Sequence, residues 1–336
     1  MSVNIFKLSY SILKERPILL IFDVTHLCNQ RCRMCNIWRP KSDDMSLQEI
    51  KDMAKVLADF GICYVFLQGG DPTVRKDLLS IVDIFLDAGI KPTVITNGIL
   101  LKGEIASGLA GRPCNVAISL DTLNKKTFNM IRGVDAIDTV IDNIKAAAKL
   151  KKHGNWALTT TITELASLED VKALERFAND NGYMYAIRPY IHTTETAGKS
   201  DDSLSYKDIT RIVEIFQYMQ SRARKKNYLA SLIYDEHIAY IKGEPQKMCD
   251  ALCRSMVMSP KGLFAPCIEF TGVSMPLQEM LEQKKIWLER CKECNKRTPC
   301  FYNDAREIGI LWRKKWKVFL NLPNVVMQMI KYGNFF

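Results

Sequence analysis

No stretch of this chain reaches the roughly 18 uninterrupted apolar residues that a membrane-spanning helix requires. The longest early apolar run, Pro17 to Phe22, falls far short, so a spanning protein is excluded. The N-terminus is basic and amphipathic but lacks a long apolar core followed by a small-residue cleavage site, and export is not expected. Internal repeats and low-complexity blocks are missing as well. What is present is an ordinary globular balance of 336 residues, 47% hydrophobic and 25% charged, which buries a sizeable core and is incompatible with wholesale disorder. The formal net charge is +10, and half of it, +5, falls in residues 305–336 through Arg306, Arg313, Lys314, Lys315, Lys317 and Lys331 against Glu307. The basic character belongs to the tail, so no nucleic-acid partner is expected. Eleven cysteines are many for this length, and an odd number in tight clusters does not read as a disulfide framework. Free thiolates in a cytoplasmic chain more often serve metals, and a cytoplasmic location is the expectation.

From residue 17 to about 190, short β-branched or apolar runs alternate with helical periodicity, the signature of repeated βα units and a parallel sheet. Strands are expected at Ile18–Val24, Cys63–Leu67, Thr93–Thr96, Asn115–Leu120, Ala157–Ile162 and Met184–Pro189. Crossover helices are expected over Leu47–Asp59, Val74–Ala88, Ile137–Lys151 and Leu168–Asn181. The fold class is therefore α/β, a partial TIM-like (β/α)6 barrel left open where further units would close it. Residues 1–16 form an N-terminal amphipathic segment and 17–190 the barrel. A connecting region, 191–248, carries a helix from Tyr206 to about Lys225, and a small cysteine-rich domain follows over 249–304. Ser259-Pro260-Lys261-Gly262 reads as a hairpin turn that brings Cys253 towards Cys267, because Pro presets one turn dihedral and Gly accepts a positive one.

Cys28, Cys32 and Cys35 stand as C-x3-C-x2-C directly after the first strand, at the end where barrel enzymes carry their sites. One loop can wrap three thiolates around one object. A structural zinc takes four protein ligands, and no fourth Cys or His follows at finger spacing, although His26 is adjacent. Three thiolates suit a four-iron cluster that keeps one iron open; an accidental cysteine-rich loop or a zinc knuckle is the plainer alternative.

With the cysteine loop set in this barrel pattern, residues 17 to about 190 resemble the radical S-adenosylmethionine (SAM) superfamily. The resemblance implies that Cys28, Cys32 and Cys35 ligate a [4Fe–4S] cluster whose open iron binds the amino and carboxylate groups of SAM, and whose electron yields a 5′-deoxyadenosyl radical. A reducing donor such as flavodoxin or ferredoxin is implied with it. Gly69-Gly70-Asp71-Pro72 is similar to the family's GGEP motif, where backbone supports the methionyl amine and glycine allows close approach. Asp71 replaces the usual Glu, and since the motif works largely through backbone, little consequence is expected. By resemblance Asn97 and Ser119 lie near the ribose, and Arg132 pairs with the SAM carboxylate through its bidentate fork. Read without the family, Arg132 is a solvated helix-end residue. Before the third cysteine, where the family usually has an aromatic residue packing on adenine, this chain has Met34, with Trp38 just beyond Cys35; a thioether makes soft contact with a ring.

Cys249-x3-Cys253-x13-Cys267 and Cys291-x2-Cys294-x5-Cys300 supply six more thiols, a density that points to metal. The string resembles the auxiliary-cluster domain called SPASM, shared by anaerobic sulfatase-maturating enzymes and peptide-modifying relatives, and implies one or two auxiliary iron–sulfur clusters. The full pattern has a further cysteine where this chain has Asp304, and none follows Cys300, so two clusters of three thiolates, one set completed by Asp304, are expected ahead of one four-thiolate cluster with two spare cysteines. A structural zinc site is the plain alternative. Cys63 and Cys114 sit in or beside strands and read as core residues.

Residues 305–336 read as a basic amphipathic tail, with Leu311, Trp312, Trp316, Phe319 and Leu320 at helical spacing, fit for peripheral membrane contact or for packing on the barrel. With only a short segment before the first strand, no leader-binding domain is expected, which tilts the substrate towards a small or lipid-linked molecule. Modification of a ribosomal peptide or protein side chain is the alternative, and a metal-stabilised binding module without catalysis the alternative from another class. Tyr190, His192 and Glu195 follow the sixth strand and are the candidates for a base or hydrogen donor.

Overall fold

In the computed structural model, the residues whose structure is described are 16–191, 201–226, 228–244, 251–297 and 309. The amphipathic start, almost all of the tail, His192, Glu195, Cys249, Cys300 and Asp304 lie outside them. No helix among the described residues is long and apolar enough to cross a membrane.

The run Leu-Leu-Ile-Phe-Asp-Val-Thr becomes β1 (Leu19–Thr25), buried along its whole length. Its two faces part by the period of two: Leu20, Phe22 and Val24 join the layer under the helices, while Leu19 and Ile21 pack with Phe66 and Val257 on the other side. The parallel ladder continues through β2 (Tyr64–Gly69), β3 (Lys91–Thr96), β4 (Asn115–Ser119), β5 (Trp156–Ile162) and β6 (Met184–Pro189), each paired with the next. All six expected strands are present, shifted by a residue or two at their ends.

The crossovers are α1 (Leu47–Phe60), α2 (Leu78–Asp87), α3 (Gly103–Ala110), α4 (Lys125–Arg132) with α5 (Ile137–Leu150), and α6 (Leu168–Asp180). Helix α1 shows why it forms here. Ser46 caps its first turn in a reciprocal box with Glu49, Ile50, Ala54 and Leu57 recur on its buried face, and Gly61 ends it at φ 119°. The segment expected as one helix from Val74 divides into a 3₁₀ turn, Pro72–Val74, and α2, because Arg75 leaves the helical region (φ −78°, ψ 124°).

Beyond β6 come two helices, α7 (Ile209–Lys226) and α8 (Tyr228–Ile241). Sequence periodicity reveals only the first, since α8 buries Leu229, Leu232, Tyr234, His237, Ile238 and Ile241 and has no single apolar stripe. The hairpin expected around Ser259–Gly262 forms: β7 (Ser255–Met258) pairs antiparallel with β8 (Phe264–Ala265), and Gly262 adopts φ +76°. Its register leaves Cys253 and Cys267 beyond the open end of that ladder, both half-buried. The hairpin is not set apart from the barrel, however. Strand β7 runs parallel to β1 from Leu19↔Ser255 to Phe22↔Met258, so the sheet has the order β6-β5-β4-β3-β2-β1-β7-β8. A β1 this apolar over Leu19–Phe22, left at an edge, would template aggregation, and β7 covers it. Helices α9 (Leu277–Glu282) and α10 (Lys284–Arg297) follow, and Cys291 and Cys294 ride on α10 rather than on irregular chain. Cys63 and Cys114 are buried core residues, as expected, and burial pushes the Cys114 thiol up to about 12.

Candidate functional site

Parallel strands present their C-terminal ends on one face, and the loops there converge on a cavity of about 550 Å³. Cys28, Cys32, Cys35, Met34 and Trp38 line it from the loop after β1; Gly69, Gly70 and Asp71 from β2; Asn97 from β3; Ser119 from β4; and Arg132 from the end of α4. Every cofactor-binding residue singled out in the sequence, together with the first three cysteines, is therefore brought to one wall.

The loop is held by backbone. Arg31 and Arg33 donate their N–H groups to the carbonyls of Arg132 and Ile131 at 3.3 and 2.9 Å, and Arg39 donates to His26 at 2.9 Å. Gly70 and Asp71 donate to Thr25 and Leu27 at 2.8 and 2.9 Å, so what this segment offers a ligand's ammonium group is carbonyl oxygen. The need for glycine is sharper than close approach to a ligand: a Cβ on Gly70 would lie 2.0 Å from the Leu27 carbonyl oxygen, and Gly69 sits at φ +117° against Thr25. Gly70→Ala is thus expected to displace the cysteine loop and to lower any activity that depends on that loop on the order of 10²-fold, since ångström misplacement costs that much. Gly111→Ala, which meets only ordinary contact at 3.5 Å, is the control in the same assay.

Asp71 departs from expectation. Its buried carboxylate accepts from the N–H of Thr73 at 2.9 Å, the hydroxyls of Thr73 and Thr96, and the N–H of Asn97 at 2.7 Å. Burial pushes this carboxyl up, while those donors pull it down. The side chain thus clamps the β2 loop to the β3 loop, and the motif does not work through backbone alone. Asn97 turns towards the cysteine loop, donating to Asn29 Oδ1 at 2.7 Å and lying 3.9 Å from Cys28 Sγ.

Arg132 is no solvated helix end. It is 8% exposed; burial opposes its charge, but Asp121, reached by Nε and Nη2 at 2.7 Å, and Cys32, whose Sγ is 4.0 Å from Nη1, more than restore it. Asp121 is fixed by the Thr161 N–H at 2.9 Å. Asp121 stands just past β4, and a lone carboxylate after an apolar strand, with an arginine one helix later, is the sequence signal for this pair. Met34 packs with Ile131, Tyr190 and Leu204, and the Arg31 guanidinium stacks 3.6 Å over Trp38. Tyr190 is not among the residues lining the cavity: it is 5% exposed, and its hydroxyl accepts from the Asp201 N–H at 3.1 Å, which makes it a packing residue.

The donor set fits an iron–sulfur cluster. Burial pushes the Cys28 thiol up to about 11 and raises Cys32, so thiolates here need a cation to settle them. Beside them two buried amide nitrogens, Asn29 Nδ2 and Gln30 Nε2, have no partner. Among the described residues no group of three Cys, His, Asp or Glu side chains is placed to hold a single metal ion. Of the second cysteine set only Cys253, Cys267 and Cys291 have described side chains, and Cys291 is buried. A second cavity of about 360 Å³, between the cysteine loop and the β7–β8 turn, shares Asn36 and Ile37 with the first and is lined by Asp23, His26, Arg39, Ser42, Lys261 and Ser274.

Comparison with known proteins agrees with this geometry. Residues 22–178 match the family model described as the Radical SAM superfamily. A "Probable GTP 3′,8-cyclase" of Sulfurisphaera tokodaii is 41% identical over 129 residues, covering 38% of this chain and 41% of that protein, so the chain spans about two fifths of that relative. A "GTP 3′,8-cyclase" of Campylobacter jejuni subsp. doylei is 28% identical over 267 residues, 76% of this chain and 81% of that one. In fold, the chain is similar to Streptococcus suis SuiB bound to S-adenosylmethionine, with a TM-score of 0.65 at 19% identity over 88% of this chain and 72% of that one. It is also similar to anSMEcpe with bound AdoMet, with a TM-score of 0.61 at 17% identity over 92% and 98%.

Proposed function

We propose that this protein binds a [4Fe–4S] cluster on Cys28, Cys32 and Cys35 and cleaves SAM reductively to take hydrogen from a small-molecule substrate. The observation that carries the reading is the single cavity in which the three cysteines meet Gly69, Gly70, Asp71, Asn97, Ser119 and Arg132. When bound, such a cluster supplies one electron for scission of the sulfonium, and the adenosyl fragment abstracts the hydrogen. The chain's residues hold and orient. Arg132, fixed by Asp121, offers its remaining N–H groups to a carboxylate. Carbonyls of the Gly69–Gly70 segment face an ammonium group, and Met34 and Trp38 offer soft and aromatic surface to a purine. The adjoining cavity, with Arg39, Lys261, His26 and serine hydroxyls, is the proposed substrate side.

The names of the sequence relatives favour a small molecule over a peptide, with a purine nucleoside triphosphate the first to try. Solved structures that include a SuiB bound to its precursor peptide support the fold and leave the peptide reading as the alternative. A lipid-linked substrate rests on the tail, which lies outside the described residues. We further propose that Cys249, Cys253, Cys267, Cys291, Cys294 and Cys300 hold auxiliary iron–sulfur clusters in a SPASM-like region, and that a flavodoxin or ferredoxin delivers the electron. Anaerobic reconstitution with iron and sulfide, followed by dithionite and SAM, is expected to yield 5′-deoxyadenosine, at a rate that GTP increases. SAM left intact by protein that holds iron would overturn the activity; a rate raised by a peptide and not by GTP would overturn the substrate class.

A further inference from the structure

Gln30 lies between the first two cysteines and is 3% exposed. Its backbone N–H donates to Cys28 Sγ at 3.4 Å, and its side-chain Oε1 accepts from the Cys32 thiol at 3.3 Å. The other half of the amide, Nε2, is buried with no partner. A buried amide that satisfies its oxygen and abandons its nitrogen is the costlier way round, because a donor without a partner has no compensating bond. The arrangement makes sense only while Cys32 carries a proton to donate. Once that sulfur ligates metal, it is acceptor only, and a carbonyl oxygen facing it is repelled. Half a turn of the amide breaks no bond made by Nε2 and places an N–H donor where the oxygen now stands.

Resting on the cluster reading above, we infer that Gln30 is a hydrogen-bond donor to the metal-bound Cys32 sulfur and sets the reduction potential of the cluster. The Arg132 Nη1 at 4.0 Å is a second, weaker donor to the same sulfur, and Asn97 Nδ2 at 3.9 Å approaches Cys28. One-electron reduction puts more negative charge on the sulfurs, so donors stabilise the reduced form and raise the potential. Gln30 acts through the sulfur and does not touch substrate, which makes it a positioning and tuning residue.

The test uses the full chain, reconstituted without oxygen, as wild type, Gln30→Met and Gln30→Asn; the methionine keeps the volume without a donor, and the asparagine is too short to reach. The signal of this cluster is the one lost in Cys32→Ala. Iron and sulfide per chain are expected to match wild type, while the midpoint potential moves negative in both variants. At a fixed potential the reduced-to-oxidised ratio falls about tenfold, equivalent to about 59 mV. In resonance Raman spectra, the shift of the iron–thiolate stretch on transfer to D₂O is expected to shrink. An unchanged midpoint in a variant with wild-type iron overturns the inference, and Gln30→Asn decides if Gln30→Met does not assemble. Wild-type protein that holds no iron would instead sink the cluster reading itself.

Discussion

Cys32→Ala is expected to abolish 5′-deoxyadenosine formation altogether and to lower iron and sulfide by one four-iron cluster, with the melting temperature of the apoprotein little changed. Cys32 is part of a surface loop whose path is set by backbone bonds from Arg31 and Arg33 to α4, so loss of a sulfur leaves the loop in place. What disappears is one of the three proposed cluster ligands, and the remaining pair would no longer enclose a cluster. The same iron count, taken on a variant lacking Cys28, Cys32 and Cys35 together, reads the auxiliary clusters alone. Residual iron of zero would remove the SPASM-like proposal, and residual iron with unimpaired SAM cleavage would remove the assignment of the first three cysteines.

The second large effect is structural. Asp121→Ala leaves the Arg132 guanidinium buried with its carboxylate partner gone, and the penalty for stranding a buried charge is about 3–5 kcal/mol. For a domain of this size that corresponds to roughly 10 °C in melting temperature. Asp121→Asn keeps the volume and an acceptor for the Thr161 N–H, and is expected to lose less stability while SAM binding still weakens, because Arg132 is no longer held by charge. Calorimetry on the three proteins checks the order; equal melting temperatures for wild type and Asp121→Ala would show that water reaches Arg132 and that the pair is not buried in solution.

The barrel strands were legible because each is a short apolar run ended by a polar or glycine turn, and the crossover helices because α1, α5 and α6 bury one face. Helix α3, built of small residues, and α8, whose apolar residues are spread around its axis, carry no such contrast. Strand β7 is four residues long and buried throughout, so no alternation announces it, and its pairing with β1 is a contact between distant parts of the chain that no local pattern encodes. At the site, motif spacing placed the residues on the right wall but not their partners. Ser119 and Asn97 were singled out through the family resemblance, and both line the cavity. The Asp71 clamp and the Asp121–Arg132 pair escaped because each joins different loops through a side chain, and Gln30 escaped because an amide between two cysteines looks like a spacer. Tyr190 was over-read: a tyrosine at a strand end serves packing as readily as chemistry.

The partnership of β1 with a strand made so much later has a bearing on how the protein is born. As the ribosome extends the chain, β1 and the cysteine loop attached to it emerge early, yet the flank that Ser255–Met258 will occupy stays open until the α7–α8 region has been translated. At roughly 5–20 residues per second, that interval lasts on the order of ten seconds or more. The scaffold behind the cysteine loop is therefore completed late, only once Ser255–Met258 has emerged and taken its place beside β1.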